Sequence, residues 1–147
     1  MRVCGVELTS SEAIICLLGQ NKGVFEVAEC RQRIFSLAKS DSTEAIRDFQ
    51  FSFKKLMEDY KVDEIAIIER APKGKLAGSA ISFKFETAIQ LIDMPVTLLN
   101  YSTIKEQLKL NRIAIDFNGL GLKKFQQPAF NVAYAYQNQL LYPSKEE

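Results

Sequence analysis

The fold of this chain is decided by its opening stretch, which reads Arg2-Val3-Cys4-Gly5-Val6-Glu7-Leu8-Thr9-Ser10-Ser11. The small or apolar residues 3–6 predict a short buried strand that continues until the chain meets Glu7. The small polar residues 9–11 then predict a tight turn. Because open α/β sheets bind their ligands at the edge where strands end, the carboxylate at position 7 is a candidate site residue.

Two further strands are predicted directly after the first. Residues 13–18 form a second apolar run that is rich in Ile and Leu. The triplet Asn21-Lys22-Gly23 is a turn signal, and residues 24–27 then begin a third strand that pairs back as a hairpin. Three strands joined by such short connections predict an antiparallel meander.

Helices alternate with strands in the remainder of the chain. The clearest helix spans residues 41–60, where apolar side chains recur at steps of three and four: Ile46, Phe49, Phe53, Leu56 and Tyr60. Residues 65–68 are apolar on both faces, as expected of a central strand in a covered parallel sheet, and this strand ends at Glu69. The predicted elements that follow are a helix over 79–91, a strand over 95–99, a helix over 102–110 capped by Ser102, and a last helix over 128–141.

The element order β-β-β-α-β-α-β-α predicts an α/β fold with a single domain over residues 1–147. Parallel strands need right-handed crossovers, so we expect a five-stranded mixed sheet in the order 3-2-1-4-5 with helices on both faces. The strand ending at Glu69 then lies beside the strand ending at Glu7. A hydrophobic content of 47% over 147 residues suffices for one compact core without disulfides or a structural metal.

Histidine is absent from the sequence, and its absence excludes several classes of chemistry. The chain can form no histidine general base, no Ser-His or Cys-His nucleophile pair and no histidine zinc site. Catalysis would therefore use carboxylates, Lys, Tyr or a metal bound through oxygen. The 19 Lys and Arg residues are balanced by 18 Asp and Glu residues, so nucleic-acid binding would have to come from a local patch.

The cysteine pattern is typical of a protein in a reducing compartment. Cys4, Cys16 and Cys30 form no CxxC pair, and we expect reduced thiols in or near the core. The first residues lack the apolar segment of a signal peptide, and no apolar run approaches the ~20 residues of a membrane span. We therefore expect a cytoplasmic protein without a membrane partner, and a homodimer is left open.

The element order, with an acid at the end of two strands, resembles the ribonuclease H-like superfamily. Within it, the nearest patterns are the RuvC-type Holliday junction resolvases and the related short YqgF-type proteins. Residues 2–11 are similar to the opening strand of these proteins, which ends in an aspartate. Residues 62–69 are similar to their fourth strand, which ends in a catalytic glutamate. Residues 128–135 are similar to their last helix. The whole chain also resembles a bacterial domain-of-unknown-function family of this superfamily.

The resemblance implies a divalent-metal site formed by Glu7, Glu69 and Asn131, with Mg²⁺ or Mn²⁺ as the cofactor. The chain departs from the family pattern because Glu7 replaces an aspartate, and Pro128 and Asn131 stand where the resolvases have aspartates. Two-metal nucleases hold their ions ~4 Å apart with several carboxylates, so two charges favour at most one weakly held ion. Asp116 could fold back as a further carboxylate, although a solvated loop residue is the better interpretation.

Cations lie close to the presumed site in sequence. Arg70, Lys73 and Lys75 follow Glu69, and Lys123 and Lys124 occupy a glycine-lysine loop before the last helix. We expect these residues to contact the phosphates of DNA or RNA; the alternative for each is solubilising surface charge. Two functions remain open. One is a ribonuclease H-like domain that binds and cleaves nucleic acid as a Mg²⁺- or Mn²⁺-dependent phosphodiesterase. The other is a catalytically degenerate relative that acts as a non-enzymatic binding or assembly module.

Overall fold

A computed structural model of the chain describes residues 1–36, 42–70, 78–110 and 121–143. Within these ranges the chain forms six strands, four α-helices and one 3₁₀ turn. The strands are β1 (Arg2–Leu8), β2 (Glu12–Asn21), β3 (Val24–Ala28), β4 (Ile34–Ser36), β5 (Glu64–Ile68) and β6 (Val96–Leu99). The helices are α1 (Thr43–Asp59), α2 (Ala80–Gln90), α3 (Tyr101–Leu110) and α4 (Gln127–Leu141), and the 3₁₀ turn is Lys124–Gln126.

The strands form one mixed sheet in the order β3-β2-β1-β5-β6. β1 is antiparallel to β2 and parallel to β5, and β5 is parallel to β6. This arrangement confirms the predicted order 3-2-1-4-5, in which the fourth and fifth strands correspond to β5 and β6. Strand β4 was not predicted from the sequence; it pairs with the start of β2. With three residues, β4 is too short to show an alternating pattern.

The central strands separate two apolar layers. On one face, Cys4, Val6 and Leu8 of β1 pack with α1 and α2 around Phe53 and Phe85. On the other face, the core is formed with α3 and α4 and includes Val3, Ala66, Ile68, Ala129 and Ala133. The side chains of β1 and β5 therefore alternate between an α1–α2 face and an α4 face.

Helix α4 crosses β1 at very close range. A Cβ atom built on Gly5 would lie 1.9 Å from the carbonyl oxygen of Ala129 and 2.9 Å from Cβ of Ala133. Glycine at position 5 therefore lets the helix backbone rest directly on the strand. Ala129 and Ala133, one turn apart, form the face of α4 that contacts β1.

Two buried glutamines fix the direction of α4. Gln126 Nε2 donates to the carbonyl oxygen of Ile15 at 3.0 Å, and Gln137 Nε2 donates to that of Leu18 at 2.7 Å. Ile15 is opposite Val6 on β1 and Leu18 is opposite Val3, so α4 runs antiparallel to β1. The beginning of α4 consequently lies towards the carboxyl end of β1, which is the edge of the predicted site.

Polar side chains cap the starts of α1 and α3. The Ser42 hydroxyl accepts from the backbone N–H of Ala45, as expected of the cap of α1. The predicted cap of α3, Ser102, is wrong, because Ser102 lies inside that helix. Asn100 Oδ1 instead accepts from the backbone N–H of Thr103 at 2.8 Å. The start of α3 is therefore capped by the residue directly before the helix.

The predicted stripe of α1 forms the centre of the α1–α2 core. Phe49, Phe53 and Leu56 are buried, whereas Ile46 is only partly buried at the edge of the core. The ring of Phe53 packs against those of Phe35 and Phe49, with centroids 5.3 and 5.6 Å apart. These aromatic contacts hold α1 against the sheet.

The three cysteines are free thiols, as expected from the sequence, and the two tyrosines of α4 differ in burial. Cys4 and Cys16 are buried free thiols, and Cys30 is a partly buried one. Tyr134 is buried, whereas Tyr136 is only partly buried and its hydroxyl donates to the carboxylate of Glu64. Among the described residues, no helix is both long and apolar enough to cross a membrane.

Candidate functional site at the carboxyl edge of the sheet

Glu7 lies near the end of β1 on the α4 face of the sheet. Val3 belongs to the α4-side core and Gly5 lies under α4, so strand alternation places Glu7, two residues later, on the same face. The side chain is partly buried. Burial raises the pKa of the Glu7 carboxyl above its ordinary value, and the positive charge of Arg70 opposes that rise. Glu7 is therefore a partly buried carboxylate whose pKa responds to the charge of Arg70.

Glu69 directly follows β5, and in the strand alternation it falls on the α1–α2 face of the sheet. Ile65 and Ile67 belong to the α1–α2 core, and Glu69 follows them in the same alternation. Its side chain is exposed, and its backbone N–H donates to the carbonyl oxygen of Leu99 at 2.8 Å. Burial raises the pKa of Glu86 on α2, and the negative charge of Glu69 raises it further. This coupling agrees with an orientation of Glu69 towards α2.

The two glutamates are thus neighbours along the edge but lie on different faces. Val6 is opposite Ile67 in the parallel register, so Glu7 falls opposite Ile68 and Glu69 stands one residue further. The shared edge was predicted from the element order, whereas the face on which each glutamate falls was not.

Asn131 is placed on a different side of α4 from the residues that contact β1. It follows Ala129 by two residues and is therefore rotated from it by about 200° around the helix axis. The Asn131 side chain is partly buried, and among the described residues it forms no hydrogen bond with Glu7 or Glu69. Asp116 lies outside the described residues.

Arg70 is the candidate cation whose position the structure defines best. Its side chain is partly buried, and among the described residues its Nε atom is enclosed without a hydrogen-bond acceptor. A Cβ atom on Gly78 would lie 2.7 Å from Cβ of Arg70 and 2.7 Å from Oγ of Ser82. The stem of Arg70 is therefore packed against the residues that begin α2.

Lys123 and Lys124 are exposed at the start of α4. Gln126 holds their backbone in place, because its Oε1 accepts from the N–H of Lys123 at 3.1 Å while its Nε2 donates to β2. The buried Gln126 was not identified from the sequence, where a glutamine beside a lysine pair gives no burial signal. The other two candidates, Lys73 and Lys75, lie outside the described residues.

Glu86 was also missed by the sequence analysis. Its Oε1 atom is enclosed and, in the described part of the chain, has no hydrogen-bond partner. The available signal was that Glu86 is the single acidic residue in the predicted helix over 79–91. That signal is weak, because one charged residue on a helix is ordinarily solvated.

The described residues do not fit a metal centre shared by the three predicted ligands. Glu7 and Glu69 belong to different faces in the strand alternation, and Asn131 is rotated away from the face of α4 that contacts β1. Over the described ranges, no group of three or more His, Cys, Asp or Glu side chains could hold an ion. Two-ion chemistry needs more carboxylate oxygens than this arrangement brings together.

Holliday junction resolvases are among the solved structures to which this chain is similar. Thermus thermophilus RuvC superimposes with a TM-score of 0.74 at 12% identity, over 96% of this chain and 96% of that chain. The same protein in complex with Holliday junction substrate gives a TM-score of 0.73 at 13% identity, over 97% and 96%. The yeast mitochondrial Holliday junction resolvase Ydc2 gives 0.59 at 12% identity, over 93% and 78%. At these identities the likeness shows the fold.

The sequence family is shown separately from the fold. No curated protein matches the sequence. A family model does match, over residues 1–136, and its description is "Protein of unknown function (DUF3010)". With this match and the structural likeness to RuvC, the chain belongs to the DUF3010 family and has a ribonuclease H-like fold.

Proposed function

We propose that this chain is a nucleic-acid-binding module, a catalytically degenerate relative of the resolvases that holds phosphates at the carboxyl edge of its sheet. The observation that carries the proposal is the position of Arg70. The positive charge of Arg70 acts on the Glu7 carboxyl, at the edge of the sheet where the resemblance predicts a metal ion. Guanidinium groups bind phosphate oxygens through two parallel hydrogen bonds, and they do so without a cofactor.

Cations from two elements support the same proposal. Arg70 follows β5, and Lys123 and Lys124 precede α4, whose beginning lies at the same edge. Lys73 and Lys75 follow Arg70 in sequence. The net charge of +1 gives no general attraction to nucleic acid, so binding would depend on this patch and would weaken steeply with salt.

A four-way DNA junction is the first ligand to test. Solved structures of two relatives with this fold contain Holliday junction DNA, namely T. thermophilus RuvC and the fowlpox virus resolvase. The fowlpox enzyme superimposes on this chain with a TM-score of 0.55 at 14% identity. We extend that ligand class to this chain as a proposal, with duplex DNA, single-stranded DNA and RNA as the competing ligands.

Fluorescence anisotropy at several salt concentrations tests the proposal. The double variant Lys123→Gln/Lys124→Gln should bind the junction about tenfold more weakly and reduce the slope of log K against log salt by about two. Arg47 and Lys54 are exposed on α1, on the far layer, so Arg47→Gln/Lys54→Gln is a control with the same loss of charge. Equal losses in both variants, or no binding of the wild type to any nucleic acid, would contradict the proposal.

The second candidate is a Mg²⁺- or Mn²⁺-dependent phosphodiesterase that uses Glu7, Glu69 and Asn131. The observation in its favour is Glu86, which adds a carboxylate close to Glu69. Junction cleavage by the wild type in Mn²⁺, lost in Glu69→Gln, would support this candidate over the binding module. Unchanged junction DNA after prolonged incubation would count against it.

A further inference from the structure

We propose that the turn before α4 stacks an unpaired base on the ring of Phe125 while Lys123 and Lys124 hold the adjacent phosphates. The proposal deepens the nucleic-acid-binding function, on which it rests, and names the ligand class as single-stranded or unpaired nucleotides. The contact with the base is aromatic, so it can fail while the charge-based binding function stands.

The turn before α4 presents three exposed side chains between two buried ones. Leu122 belongs to the α4-side core, and Gln126, four residues later, is 4% exposed. Lys123, Lys124 and Phe125 stand between them, and all three are exposed. Two cations and an aromatic ring are therefore offered to solvent from a single turn, at the beginning of α4 and thus at the carboxyl edge of the sheet.

Gln126 fixes the backbone of this turn to the sheet. Its backbone N–H donates to the carbonyl oxygen of Lys123 at 2.9 Å, and its Oε1 accepts from the N–H of Lys123 at 3.1 Å. Its Nε2 donates to the carbonyl oxygen of Ile15 on β2 at 3.0 Å. A contact surface that is ordered before binding loses less conformational entropy when the ligand arrives. The ring of Phe125 is consequently presented from a backbone that is already in place.

The ring of Phe125 is 42% exposed, and its position beside two lysines matches the chemistry of a nucleotide. Every base has a π face on which an aromatic ring can stack, and the phosphates next to that base attract lysine side chains. In a duplex each base is already stacked between its neighbours. The ring therefore gains a partner only where a base is unpaired, and this requirement selects single strands and unpaired positions over a continuous duplex.

Phe51 on α1 provides a matched aromatic residue outside this edge. It is 70% exposed, but Asp48 lies one helical turn before it, and α1 packs on the opposite face of the sheet from α4. A carboxylate beside a ring repels the phosphates of a nucleotide whose base would stack there. The sequence from Gly121 to Gln127 contains no acidic residue. Exposure alone therefore does not define the platform, and Phe51 serves as the control position.

The chain contains no tryptophan, so Phe125→Trp introduces a single indole whose fluorescence reports on stacking. Titration with a short oligothymidylate should quench this emission, because a stacked base lies directly on the indole ring. An oligonucleotide of the same length that is abasic throughout carries the same phosphates and should leave the emission almost unchanged. Phe51→Trp should show no quenching with either oligonucleotide. Circular dichroism establishes that each variant is folded.

Fluorescence anisotropy with labelled oligothymidylate separates the stacking contact from the charge contacts. Phe125→Ala should bind about tenfold more weakly than the wild type, as expected for the loss of one stacked base, with an unchanged slope of log K against log salt. Lys123→Gln/Lys124→Gln should instead reduce that slope by about 1.4, since two phosphate contacts to a single strand are lost. Phe125→Tyr and Phe51→Ala should both resemble the wild type. Phe125→Ala should keep its affinity for a fully paired duplex.

Two results would overturn the stacking contact and leave the binding function standing. One is a folded Phe125→Ala variant that binds oligothymidylate as tightly as Phe51→Ala does. The other is equal affinity of the wild type for the normal and the abasic oligonucleotide. Should Phe125→Ala fail to fold, the quenching of Phe125→Trp and the abasic comparison decide. A wild type that binds no nucleic acid at all would refute the binding function, and the stacking contact with it. A wild-type dimer that is lost in Phe125→Ala, by size-exclusion chromatography, would assign the ring to an interface between two copies of the chain instead.

Discussion

Substituting Gly5 by alanine tests the close crossing on which the whole edge depends. The new Cβ would lie 1.9 Å from the carbonyl oxygen and 3.0 Å from the carbonyl carbon of Ala129, both of which are backbone atoms. To restore an ordinary contact distance, α4 would have to move about 1.5 Å away from β1. A gap of that size loses much of the van der Waals attraction between the helix and the sheet. We expect Gly5→Ala to lower the free energy of unfolding by about 3 kcal/mol or more, the upper end for overpacked cores.

Gly19 on β2 provides a matched control in the same sheet. A Cβ atom there would lie 3.7 Å from the carbonyl oxygen of Glu26 and 3.9 Å from its Cγ, which is ordinary contact. Gly19→Ala should therefore stabilise the protein by roughly 0.5 kcal/mol, since alanine loses less chain entropy than glycine on folding. Urea unfolding followed by circular dichroism measures both variants. If the unfolding free energy of Gly5→Ala is within about 0.5 kcal/mol of the wild-type value, or no lower than that of Gly19→Ala, α4 does not cross β1 at this close range.

Three further predictions concern the core, a helix cap and a thiol. Phe53→Ala should cost about 3–5 kcal/mol in urea unfolding, whereas Phe51→Ala, 70% exposed, should change stability by less than about 0.5 kcal/mol. Asn100→Ala should lower the unfolding free energy by about 1 kcal/mol through loss of the α3 cap, and the same measurement on Ser102→Ala should show little change. Burial raises the pKa of the Cys16 thiol to about 12, so iodoacetamide at pH 8 should label Cys16, by mass spectrometry, only after unfolding.

The sheet order was predictable because its signals are local. The turn at residues 21–23 sets the hairpin, and the apolar run at 65–68 marks a covered central strand. That run, however, is apolar on both faces, so it carries no information on which residues face α4. The face on which Glu69 falls depends on which residues of this run point towards α4. Only the three-dimensional register with β1 fixes it, through the pairing of Val6 with Ile67.

The position of Asn131 could not be predicted for a related reason. Ala129, Val132 and Ala133 are all small or apolar, and each is an acceptable residue for the face that meets the sheet. The choice of Ala129 and Ala133 follows from Gly5, which is the one position of β1 where a helix backbone can approach so closely. A tertiary contact between residues more than a hundred positions apart therefore decides how α4 is rotated.

The charge at this edge depends on which residues of β5 point towards α4. An acid at position 68 would lie on the α4 face opposite Glu7, and two sheltered carboxylates at that distance would need a cation from solution. Position 68 is instead isoleucine, packed with Ala66 in the α4-side core. The acid comes one residue later and belongs to the face of α2 and Glu86. The position of the acid along β5 therefore determines whether two like charges share one face of the sheet, and in this chain the two glutamates alternate between the faces.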